Sequence, residues 1–154
     1  MDTHIPKPGT EHEALARMAG TWNGEETMMP SPWSPKKESR TGRTTSRMLE
    51  GFFLVSDYEQ RAGAKVAFRG HGVFSWDQKA EQYVMYWFDS MGGAGGVATG
   101  GLEGNVLTFR NTSPMGQHRY RYTFEPDGAY RFDIAMSQDG KDWQSLMEAR
   151  YTKA

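Results

Sequence analysis

The sequence predicts an all-β protein: a single up-and-down antiparallel barrel of about ten strands with a short N-terminal helix. Three observations predict it. Apolar and polar residues alternate in about ten short segments at roughly regular spacing. Nearly every connection between them is hairpin-length, and no segment is followed by a long helical pattern, which argues against βαβ units. Aromatics reach 13% and glycines number 18 against a hydrophobic fraction of 37%, the balance expected of β-structure with tight turns. A meander of that many strands avoids exposed edges best by closing on itself.

The elements follow in order. Residues 1–10 contain two prolines and little to bury, and are expected to be a flexible N-terminal arm; residues 11–154 form the barrel domain. Thr10 followed by "EHEALARM" reads as a short helix with Thr10 as N-cap and Glu13 as its reciprocal partner. Leu15 and Met18 form the apolar stripe, and Gly20 stands where a helix-ending glycine would. From "TWNGEETMM" onward the period is two, giving a first strand. Pro30, Pro32 and Pro35 make the next stretch a loop. The later strands are "SRTGRTTSRML", "FFLVSDYEQR", "VAFRGHGVFSW", "EQYVMYWFD", the weak "GGVATGG", "VLTFRNT", "QHRYRYTFE", "AYRFDIAMS" and "KDWQSLMEARYT". Turns such as Asp127-Gly128 supply the positive φ that separates them.

Composition excludes several functions. A net charge of -1 gives no electrostatic reason to expect nucleic acid or an anionic membrane as partner. Cysteine is absent, which removes disulfides and thiolate metal sites. The four histidines, at 4, 12, 71 and 118, have no metal-ligand spacing, so no metal is predicted. The polar start lacks the apolar core of a signal peptide, and no apolar run approaches the roughly 18 residues that span a bilayer. A cytoplasmic location is the expectation.

The short helix followed by Gly20-Thr21-Trp22 at the start of a meander barrel resembles the lipocalin/calycin pattern. "LARMAGTWNGEETMMP", "GFFLVSDYEQ", "GHGVFSWDQKAEQYVMYWFDSMG" and "GLEGNVLTF" together resemble the DUF1579 family of uncharacterised bacterial proteins, over roughly residues 12–151. The resemblance implies a calycin-like barrel with Trp22 at its floor, and no activity. It also implies a cation over that tryptophan from the last strand. Arg150 has a suitable position, with a surface Arg150 as the alternative. Nitrobindins are similar barrels that hold heme through a histidine close to the C-terminus. No histidine follows His118 here, which disfavours heme, and no cofactor is predicted.

Strand alternation then sorts candidate ligand-binding residues by face. On "FRGHGVFSW" one face carries Arg69, His71, Val73 and Ser75, the other Phe68, Gly70, Gly72, Phe74 and Trp76. Glycines cost little on an outer face, so the His71 face is expected inward. Met85, Trp87 and Asp89 on the next strand, and His118 and Tyr120 further on, complete the candidate set. An interior of Tyr, Trp, Met and a few polar groups suits a small, partly apolar ligand with a polar handle. The alternatives are an enzyme with His71 as acid or base in the same cavity, and a filled barrel acting through its surface. The ten methionines line an adaptable cavity or fill gaps in a core. Exposed aromatics such as Trp33 make a homodimer a candidate state. "GGAGGVATGG" lacks the lysine and helix of a phosphate loop, and reads as a rim loop.

Overall fold

The computed structural model describes residues 5–32 and 34–154. Trp33 and the first four residues of the expected arm lie outside the described residues. The elements are α1 (Thr10–Ala16), β1 (Gly20–Met28), β2 (Glu38–Leu49), β3 (Phe53–Ala62), β4 (Lys65–Asp77), β5 (Gln82–Asp89), β6 (Gly96–Glu103), β7 (Val106–Ser113), β8 (Gly116–Phe124), β9 (Tyr130–Ser137) and β10 (Gln144–Lys153). Every neighbouring pair is antiparallel, and β1 pairs with both β2 and β10. The ten strands therefore form one closed barrel, as the meander pattern predicts.

The helix start differs from expectation by one residue. Gly9, in extended backbone, is the N-cap, and its N–H donates to His12 Nδ1 at 2.9 Å. His12 thus takes the part assigned to Glu13, because the helix begins at Thr10 itself. α1 covers one end of the barrel: Tyr83 donates its hydroxyl hydrogen to the Glu11 carbonyl at 2.6 Å, and His12 meets Phe52 edge-on. Leu15 and Met18 are buried there together with Trp22, Leu54, Phe74, Leu107 and Phe109.

Gly20 does not end the helix, which stops at Ala16; it opens β1 with a φ of +116°. That backbone conformation is what calls for glycine, and Lys153 uses the space it leaves. Its ammonium donates to the Ala19 carbonyl at 2.8 Å, and a Cβ on Gly20 would overlap it. The same ammonium lies 4.6 Å from the Trp22 ring centroid. Trp22 is 1% exposed, donates its indole N–H to the Met18 carbonyl at 3.0 Å and packs edge-on against Tyr130. The cation over the floor tryptophan is therefore Lys153, not Arg150. β10 turns Met147, Ala149 and Tyr151 into the core, so Arg150 points outward, to Glu125 and Asp127.

Candidate functional site: the barrel cavity

Inside the barrel lies a partly open cavity of about 430 Å³. Met18, Leu54, Phe74 and Tyr130 line its inner end, and Trp87, Tyr58, Tyr122 and Phe132 its sides. Met28, Met85 and Met147 complete the apolar wall, so methionines serve the cavity as well as the core. Arg40, Gln60, Phe68, Asp89 and Asn111 also line it.

Register decides which residues reach this space. Tyr58 pairs with Gly70, Ser56 with Gly72 and Leu54 with Phe74, so Gly70 and Gly72 face inward. A Cβ on Gly70 would overlap the Trp87 indole, and one on Gly72 would lie 3.1 Å from it. The glycines make room for a large ring laid across them. Consequently His71 and Arg69 face outward, against the expectation. The His71 Nδ1 and the Asp57 carboxylate lie 2.9 Å apart on the outer face, and Arg69 pairs with Glu59 at 3.4 Å. His71 has no route to a molecule in the cavity, which removes it as an acid or base there.

Of the other candidates, Met85, Trp87, Asp89 and Tyr120 line the cavity together. His118 sits toward the β7–β8 turn, with Nε2 2.9 Å from Ser113 Oγ, and is not part of the lining.

The main polar feature escaped the sequence reading. Glu26 is 2% exposed and stands behind the cavity wall. Its carboxylate accepts from the Tyr58 hydroxyl at 2.6 Å, from the Tyr151 hydroxyl, and from Gln60 Nε2 at 3.0 Å. Arg40, which can only donate, gives a hydrogen bond to Gln60 Oε1 at 2.7 Å. That contact fixes the amide so that Glu26 Oε1 is an acceptor. Space for the cluster comes from the cross-strand pair Gly24 and Gly42. A Cβ on Gly24 would overlap Tyr151, and one on Gly42 would overlap Glu26. A signal for Glu26 was present: it shares strand parity with Trp22, the residue most firmly expected inside.

Burial, together with the Glu26 charge, pushes the Tyr58 and Tyr151 hydroxyls well above the usual tyrosine range. Burial raises Tyr122 and Tyr130 as well. These phenols stay protonated, and those of Tyr58 and Tyr151 spend their hydrogens on Glu26. Asn111 differs: its Oδ1 is buried and has no hydrogen-bond partner among the described residues, while Nδ2 reaches the Val97 carbonyl at 3.4 Å.

A family model described as "Protein of unknown function (DUF1579)" matches residues 7–153. The chain belongs to the DUF1579 family. This DUF1579 barrel is similar in fold to Rv2717c from M. tuberculosis, with a TM-score of 0.71 and 14% identity over 96% of this chain and 99% of that one. It is also similar to the S-type phycobiliprotein lyase CPES from Guillardia theta, with a TM-score of 0.58 and 11% identity over 94% and 96% of the two chains. At these identities the likeness is one of fold. No curated protein matches this DUF1579 chain. No helix among its described residues is long and apolar enough to cross a membrane.

Proposed function

We propose that this barrel binds one small, partly apolar molecule in its interior. The observation that supports it most is the cavity itself. Its volume of about 430 Å³ falls in the roughly 300–1,000 Å³ range of small-molecule sites. Its wall is mainly aromatic and methionine, with a few polar groups held in place by the Glu26 cluster. A core built only for stability would fill such a space, since each lost contact costs dispersion energy. Met85, Trp87, Asp89 and Tyr120 are the contacts we assign to the ligand.

The test is titration with the neutral dye Nile red, combined with native mass spectrometry of the freshly purified protein. Saturable binding of one dye per chain is expected, and Ser56→Phe, which fills the cavity from β3, should abolish it while thermal unfolding stays cooperative. Non-saturable binding, or binding that Ser56→Phe leaves intact in a folded protein, overturns the reading.

A further inference from the structure

Resting on that cavity reading, we infer that the ligand is cationic: a small apolar amine or ammonium whose charged head sits beside Asp89, Trp87 and Asn111. The charges at the cavity differ in whether a neighbour already answers them. Arg40 is the cationic side chain in the lining, and Glu38 answers it with two contacts, Nε to Oε1 at 3.2 Å and NH2 to Oε2 at 3.1 Å. The two carboxylates are not answered in this way. Among the described residues neither Asp89 nor Glu26 forms an ion pair. Glu26 is stabilised by neutral donors alone. Asp89 accepts from the Trp87 indole N–H at 2.9 Å and from the Met91 N–H at 2.9 Å, also neutral. The field inside the barrel is therefore negative.

The uncharged groups agree with that sign. Asn111 Oδ1 is a buried acceptor waiting for a donor, and an ammonium supplies up to three. Trp87, Tyr58 and Phe68 line the same space, and aromatic faces attract cations. An anionic ligand would meet the Asp89 carboxylate and a lone-pair oxygen, with the Glu26 carboxylate a layer behind the wall. Burial raises the Tyr120 hydroxyl, a hydrogen bond with the Asn111 side chain lowers it, and the nearby Asp89 charge adds to the rise, which places all three groups together.

The experiment displaces Nile red from the full chain with three probes of matched shape: phenylbutylamine, phenylbutanol and phenylbutyrate. The amine should displace the dye at a concentration about tenfold below the alcohol, with the acid weakest. Asp89→Asn removes the charge and keeps one acceptor oxygen, and should bring the amine to within about twofold of the alcohol when both are measured on that variant. Equal potency of the three probes, or a preference for the acid, overturns the cationic assignment and leaves the cavity reading standing. An amine preference that survives Asp89→Asn overturns the placement of the head. Failure of Nile red to bind overturns both readings.

Discussion

The ammonium of Lys153 rests 4.6 Å from the centre of the Trp22 ring while donating to the Ala19 carbonyl. One contact thus ties the last strand to the first and to the segment leaving the helix. The two residues are not of equal weight. Trp22 is fully buried, and Trp22→Ala should cost about 3–5 kcal/mol, mostly lost burial and cavity. Lys153→Met keeps the aliphatic stem and removes the cation, costing about 0.5–1 kcal/mol. Urea unfolding of both variants separates them; equal costs would mean that the tryptophan does not anchor the floor.

Removal of Glu26 should be more damaging than its single side chain suggests. Glu26→Ala leaves two phenols and one amide facing each other without their acceptor. Each unsatisfied buried group costs about 1–3 kcal/mol. Glu26→Gln retains one acceptor oxygen and should fall between the variant and the parent. Urea midpoints that place Gln below Ala would contradict the acceptor role.

Alkaline pH should unfold the protein steeply. Tyr58, Tyr122, Tyr130 and Tyr151 hold their protons to higher pH folded than unfolded. Above the ordinary value of about 10 the unfolded chain binds fewer protons than the folded one, so stability falls as pH rises. The stabilisation is complete below that value and declines above it by up to about 1.4 kcal/mol per pH unit for each tyrosine. Urea midpoints between pH ~9 and ~11.5 should show the fall, with Tyr58→Phe shallower by one tyrosine's share. A flat profile would remove the phenols from the linkage.

Two neighbouring substitutions on β4 should behave oppositely. Gly70→Ala drives a Cβ into the Trp87 indole. It should cost about 1–3 kcal/mol as overpacking and shift the tryptophan emission. His71→Ala touches an exposed pair with Asp57, and should change stability by no more than about 0.5 kcal/mol and leave Nile red binding unchanged. Loss of dye binding in His71→Ala would show that the outer face matters to the cavity.

That contrast explains what the sequence conveyed and what it withheld. All ten strands were legible, because alternation and turn chemistry are local signals that pairing merely reinforces. Trp22 was legible for the same reason, and Met85, Trp87, Asp89 and Tyr120 share the face that the barrel turns inward. The face of β4 was not legible. A glycine by itself packs nothing and so reads as an outer-face residue, whereas Gly70 and Gly72 are inside because a ring from β5 covers them. Only register across the strand pair reveals that, and a slip of one residue exchanges the faces. For Arg150 the parity of β10 left two alternatives open, and the surface one holds because Tyr151 takes the inward parity. Glu26 failed because a lone glutamate in a strand reads as solvated until Tyr58, Gln60 and Tyr151 are placed around it.

The closure of β1 on β10 also has a consequence for biosynthesis. Glu26 and Tyr151 are 125 positions apart, yet share a hydrogen bond. While β10 is still inside the ribosome, β1 to β9 can form only an open sheet with two bare edges, the arrangement most exposed to pairing with other chains. Sealing it is a non-local and therefore slow event. The cavity has no complete wall before that moment, so the space inside the barrel comes into being only with the last pairing, between β1 and β10.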